Sequence, residues 1–264
     1  MKTLCIDIGN TNINYAVVEN NKIFDEGVLP TISFSKKNIL SPVFNNLIQN
    51  HSIRACSYCS VVPEYNEALI NHLPSDIELF ELNSESVIGL DLSYPNPIEI
   101  GHDRIANAVA AQTYFSIPCI VVDLGTAITL DIITTRGYEG GIIAPGFNLM
   151  SNYLHEKTAL LPKLNLDPAQ IKNYNHQNRY GKSTKEAIEI GISVGFSGMI
   201  ESLIKVAVDS IKEKYETTPT ILSTGGNVLN IRMESGLETK FIKGLTLMGL
   251  SEAYYRFFNK DNCN

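Results

Sequence analysis

The sequence predicts an α/β protein of two halves that begin alike, each a mixed sheet covered by helices. Three observations carry this. The apolar run Leu4-Cys5-Ile6 reaches Asp7 and turns on Gly9, and the same pattern returns at Cys119-Ile120-Val121-Val122, Asp123 and Gly125. Each of these turns opens a run of short strands, and helically spaced apolar stretches follow. At 264 residues the chain is long enough for two separate cores.

Taken in order, Thr3–Ile8, Ile13–Val18 and Ile23–Leu29 read as an antiparallel meander joined by turns rich in Asn, Gly and Asp. Residues Phe34–Gln49 carry apolar side chains at helical spacing. The strand Ile53–Val62 stops at Pro63, the helix Glu64–His72 follows, then the strand Ile77–Leu82. Tyr94-Pro95-Asn96-Pro97 breaks all periodicity. Gly101-His102-Asp103-Arg104 then leads into the Ala-rich helix Ile105–Phe115, with Asp103 and Arg104 in its first turn, and Pro118 ends it. The domain boundary is therefore expected near residue 116, giving 1–116 and 117–264. In the second half, 119–124, 127–134 and 138–143 form another meander. Helix Phe147–Ala159, a polar loop Lys163–Asn178 and a long apolar helix Ser183–Lys214 follow. Gly191, Gly195 and Gly198 in that long helix suit a close helix contact, read as core plus a subunit contact. Strand Thr220–Ser223, the turn Thr224-Gly225-Gly226-Asn227 into a helix, and helix Leu245–Phe258 close the chain.

Composition excludes several classes. A net charge of −7 with no Lys/Arg run argues against nucleic acid and anionic lipid as partners. No eighteen consecutive apolar residues occur, so no membrane span is expected and the location expected is cytoplasmic. Five cysteines, an odd number, fit a reducing compartment. Cys56 and Cys59 form a CxxC inside a strand, where positions i and i+3 face opposite ways and cannot pinch one metal ion.

A strand-Gly-strand turn bares backbone N–H groups for phosphate oxygens, and an Asp at the strand end can hold Mg²⁺. One such turn is an ordinary β-turn more often than not. Two copies plus the glycine turn at Thr224–Asn227 suggest a nucleotide held between two domains. Gly181-Lys182-Ser183-Thr184 ends like a P-loop, but His176 stands where that loop needs Gly and no apolar strand precedes it. Ser183 or Thr184 as helix N-cap, with Glu186 completing a capping box for Ser183, is the plain alternative.

Together, Asp7–Asn12, Tyr94 with Gly101-His102-Asp103-Arg104, Asp123–Thr129, Gly140–Gly146, Gly181–Ile188 and Ser223–Asn227 resemble the motifs of the type III pantothenate kinases, in the family's order. Cys59-Ser60-Val61-Val62-Pro63 resembles that family's strand end, with Cys in place of a small residue. The resemblance implies two ribonuclease-H-like domains, mixed five-stranded sheets flanked by helices, with a nucleotide cleft between them. It implies ATP-dependent phosphorylation of pantothenate, the first step of coenzyme A synthesis, by a homodimer that uses Mg²⁺ and a monovalent cation, K⁺ or NH₄⁺.

Carried over by position, Asp7, Ile8, Gly9, Asn10, Thr11, Asn12, Ile13 and Asn14 contact the ATP phosphates, with Asp7 near Mg²⁺, directly or through water. Thr126 contacts ATP and Asp123 binds the monovalent cation. Tyr94, Gly101, His102, Asp103, Arg104 and Thr184 touch pantothenate, and Asp103 resembles the catalytic base. Arg104 suits a two-pronged bond to the substrate carboxylate, with a structural ion pair as the alternative. His102 is either a solvated neighbour of the base or a helper in taking the proton. Unpaired carboxylates 4 Å apart repel by about 4 kcal/mol at an effective dielectric of 20, which motivates the bound cations. Two other readings stay open: a catalytically silent accessory or regulatory protein of the same fold, and a small-sugar or acetate-type kinase.

Overall fold

The computed structural model describes residues 1–35, 40–167, 180–226 and 238–259. Among these, two five-stranded sheets follow one plan. In the first, β1 (Thr3–Ile8), β2 (Asn12–Glu19) and β3 (Lys22–Pro30) make the antiparallel meander, while β4 (Ala55–Ser60) and β5 (Glu78–Glu81) add in parallel beyond β1. The order is β3-β2-β1-β4-β5. The second sheet has the order β10-β9-β6-β7-β8, from β6 (Cys119–Leu124), β7 (Ala127–Thr134), β8 (Gly137–Pro145), β9 (Thr220–Thr224) and β10 (Lys240–Phe241). There too the strands beyond the first of the meander run parallel to it, β9 on β6 and β10 on β9.

Helices cover each sheet because its strands are apolar on both faces. Leu4, Ile6 and Ile8 of β1 share a core with Leu40, Phe44 and Ile48 of α1 (Leu40–His51) and Leu69 of α2 (Asn66–His72). Positions 40, 44 and 48 recur every four residues and so line one side of the helix. The other face meets α6 (Leu245–Phe258), where Ser57 Oγ donates to the Leu250 carbonyl at 2.8 Å. Helix α6 also lies against α3 (His102–Tyr114). A Cβ on Gly249 would stand 1.8 Å from the Ala106 carbonyl oxygen, so a glycine is required there. β3 is an exposed edge, and its Lys22, Asp25, Glu26 and terminal Pro30 discourage pairing with another chain.

In the second sheet, Ile120, Val122, Ile128 and Leu130 pack with Phe147 of α4 (Phe147–Glu156) and with Ile188, Ile192, Phe196, Ile200 and Ile204 of α5 (Thr184–Tyr215). Burying each such side chain is worth about 1.5–3 kcal/mol. The opposite side of α5 carries Gly191, Gly195 and Gly198, where an added Cβ would meet nothing within 4 Å among the described residues. By length and composition alone α5 could cross a membrane; its apolar stripe is the one packed on the sheet.

Contacts divide the chain into two units, Met1–Ile117 with Ile133–Gly140 and Gly244–Asn264, and Pro118–Ile132 with Gly141–Lys243. The sequence division kept all of 117–264 together. In the structure α6 packs with the first unit, because its apolar face fits α3. The hairpin end at Tyr138 joins that unit as well: Tyr138 N–H donates to the Asp91 carbonyl and Ser93 N–H to the Tyr138 carbonyl. Neither partnership leaves a periodic trace. The two-residue β10 was not anticipated, and the stretch read as helix from Phe34 resolves into a 3₁₀ turn Thr31–Ser35 and α1. The helix expected after Asn227 and residues 168–178 of the polar loop lie outside the described residues.

Candidate active site

In the first unit the β1–β2 turn closes when Gly9 N–H donates to the Asn12 carbonyl at 3.0 Å. Thr31 braces it from outside, its hydroxyl to the Gly9 carbonyl at 2.7 Å and its N–H to the Thr11 carbonyl at 2.9 Å. Asn10, Thr11 and Asn12 are left exposed. Ile8 and Ile13 are fully buried in the core, so any ligand contact from them runs through backbone. Asp7 is the last residue but one of β1, with Asn14 Nδ2 donating to its Oδ2 at 3.1 Å.

Asp103 stands in the first turn of α3, where free N–H groups favour an anion. Its Oδ1 accepts from Arg104 N–H at 2.8 Å. Burial pushes its pKa up, opposed first by that N–H and then by the Arg104 guanidinium. Gly101, the N-cap, is needed for this conformation: a Cβ there would stand 2.6 Å from Asp103 Oδ1. Arg104 is buried, and its guanidinium lies 5.8 Å from the centre of the Tyr138 ring. Tyr138 in turn meets Tyr94 edge-on at 6.2 Å. Tyr138 thus brings Arg104 and Tyr94 together, although nothing in the sequence singled it out. What places it is the neighbouring Gly137, whose φ of +90° and missing side chain let β8 run against the Asp91 carbonyl. His102 Nδ1 is buried and finds no hydrogen-bond partner among the described residues.

In the second unit Gly125 N–H donates to the Ala127 carbonyl at 3.2 Å, a turn one residue tighter than its counterpart at Gly9. Two other glycine turns close on it. Gly146 N–H donates to the Thr126 carbonyl at 3.1 Å, and a Cβ on Gly146 would overlap that oxygen. Gly225, at φ +102°, would place a Cβ 2.8 Å from Asp123 Oδ1 and 2.7 Å from the Leu124 carbonyl oxygen. Thr126 is exposed. Thr184 is exposed too, the first helical residue after Ser183, whose side chain caps α5 by accepting from Glu186 N–H at 3.2 Å. Glu186 reaches back to Lys182 N–H at 2.8 Å, so the capping interaction closes one residue earlier than a strict box.

These donor sets bear on the ions. Among the described residues no three His, Cys, Asp or Glu side chains cluster to hold a metal. Mg²⁺ in kinases is held by one or two carboxylates together with substrate phosphates, and Asp7 beside an open glycine turn fits that. The carboxylate of Asp123 and the carbonyl and amide nitrogen of Leu124 all lie against the Cβ position of Gly225, so two oxygens, donors of the kind a hard cation takes, meet at this turn. The four described cysteines are free and buried; Cys56 packs in the first core while Cys59 turns to Asp7.

Residues 3–206 match the family model for type III pantothenate kinase. A type III pantothenate kinase from Methylacidiphilum infernorum is 33% identical over 227 residues, 84% of this chain and 77% of that protein. One from Fervidobacterium nodosum is 31% identical over 98% of each. Among solved structures, a Campylobacter jejuni protein assigned to the Baf family of transcriptional activators is similar at TM-score 0.58 and 20% identity over 98% of each chain. A ROK family glucokinase from Streptomyces griseus is similar at TM-score 0.53 and 11% identity over 97% of this chain and 99% of its own. At such identities the structures speak for the fold alone.

Proposed function

The chain belongs to the type III pantothenate kinase family, and from that premise we propose how its own residues carry out the ATP-dependent phosphorylation of pantothenate, the first step of coenzyme A biosynthesis. The observation that carries the proposal is the first turn of α3, where Gly101 leaves room for the Asp103 carboxylate and Arg104 lies against Tyr138. Asp103 is the base. A primary alcohol is too weak an acid to be deprotonated beforehand by a carboxylate, so Asp103 orients the hydroxyl and accepts its proton late, as the bond to the γ-phosphorus forms and the bond from that phosphorus to the bridging oxygen breaks to release ADP. Arg104, with Tyr94, Gly101, His102 and Thr184, binds pantothenate, and Arg104 pairs with its carboxylate.

Residues Asp7 to Asn14 hold the ATP phosphates, chiefly through the exposed backbone of Asn10–Asn12, and Thr126 contacts the nucleotide as well. Asp7 is the carboxylate for Mg²⁺, whose chemistry is to neutralise charge on the phosphates. Asp123 with the Leu124 carbonyl holds K⁺ or NH₄⁺. The open glycine side of α5 supports a homodimer, since a second helix can approach a backbone bare of side chains. Dependence on ATP supports a cytoplasmic location.

A silent accessory role and a sugar kinase remain the competing readings. Asp7, Asp103 and Asp123 are all present in the sequence, which favours catalysis over the first. The Gly-x-Asp-Arg segment with Tyr94 favours pantothenate over the second. The test is ADP release by purified protein given ATP, Mg²⁺ and pantothenate, with and without potassium. Release that needs pantothenate and is raised by potassium is expected. No release in potassium would favour the accessory role, and release only with a sugar would favour the other kinase.

A further inference from the structure

A row of three side chains crosses three strands at Asp7. Asp7 on β1 stands opposite Asn14 on β2 and opposite Cys59 on β4. Residues paired in this way put their side chains on the same face of the sheet, about 5 Å apart at Cβ. Both neighbours use the proximity. Asn14 Nδ2 donates to Asp7 Oδ2 at 3.1 Å, and Cys59 Sγ–H donates to Oδ1 at 3.5 Å. Cys59 is fully buried, where a thiol stays neutral and can serve as a donor. Asp103 is close enough for its charge to be felt at the same sulfur. Cys56, three residues earlier, instead packs among the apolar side chains of the first core.

We propose that Cys59 is a positioning residue: with Asn14 it clamps the Asp7 carboxylate by one donor on each oxygen and fixes its direction beside the Gly9–Asn12 turn. The proposal rests on the reading of Asp7 as the carboxylate on the Mg²⁺–nucleotide side. With both donors in place the carboxylate cannot rotate freely. Loss of the thiol would leave Oδ1 without this restraint. A hydroxyl at position 59 keeps a donor with shorter reach, whereas an isopropyl group keeps bulk without a donor, so substitutions can separate bonding from packing.

The experiment compares wild type, Cys59→Ser, Cys59→Val and Asp7→Asn. Calorimetric ATP affinity is measured with and without Mg²⁺, alongside kcat, the KM for pantothenate and the melting temperature. Cys59→Val is expected to lower the Mg²⁺-dependent gain in ATP affinity about fivefold and kcat about tenfold, as loss of one hydrogen bond from a weak thiol donor would. Its KM for pantothenate should stay within about twofold of wild type, and Cys59→Ser should recover most of both losses. A Cys59→Val protein with the wild-type Mg²⁺ gain, or a Cys59→Ser protein equally impaired, overturns the clamp. Losses in both variants that follow the melting temperature and extend to pantothenate assign Cys59 to packing and overturn it too. If Asp7→Asn keeps the full Mg²⁺ gain, the underlying reading of Asp7 fails instead.

Discussion

Burial raises the pKa of Asp103, while the Arg104 N–H and guanidinium act the other way without cancelling it. An acid whose pKa in the fold lies above its unfolded value, about 3.9 for Asp, binds its proton more tightly when folded. Its contribution to stability is therefore complete below that unfolded value and is lost as pH rises through the raised one. At neutral pH the ionised carboxylate lowers stability. Asp103→Asn should then melt higher than wild type at pH 7, with the gap closing toward pH 4, as thermal scans across that range would check. The same shift moves the acid limb of kcat/KM upward from where an ordinary Asp would put it, because the base works only once ionised. The first-turn place of Asp103 and Arg104 was legible in the sequence, because the Ala-rich apolar pattern begins at Ile105, whereas the role of base rests on the family resemblance. Cys59 and Tyr138 were not legible, since their partners come from strand register and from a hairpin folding onto residues 91–93.

At the scale of elements, the three glycine turns of the second unit depend on backbone approaching backbone. Gly225 combines a φ of +102° with a Cβ position 2.7 Å from Leu124 N and O. Gly225→Ala should lower stability by about 1–3 kcal/mol and weaken potassium activation, because the new methyl group would occupy the space beside Asp123. Gly226→Ala is the control, since a Cβ there meets nothing within 4 Å among the described residues, and should stay within about 0.5 kcal/mol. Chemical denaturation and a potassium titration of activity check both. The strands were readable almost to the residue, as in Thr3–Ile8, because alternation and turn residues agree locally. The ends of helices were less so: Phe147–Ala159 stops at Glu156, where the caps rather than the apolar pattern decide.

For the whole molecule, the repeated strand order of the two sheets was legible as two similar openings, whereas the return of α6 to the first unit was not. An apolar helix face looks alike whichever surface it will meet. The exposed glycines of α5 carry the proposal of a homodimer, and Gly195→Arg should shift sedimentation toward monomer while leaving the melting temperature within a few degrees. An unchanged dimer would place the subunit contact elsewhere. The account as a whole turns on one base serving one alcohol. Pantothenate-dependent ADP release, measured side by side for wild type and Asp103→Asn together with ATP affinity, tests it most directly. We expect turnover to fall by at least about a hundredfold with ATP affinity nearly intact; near-normal turnover in Asp103→Asn would contradict the account.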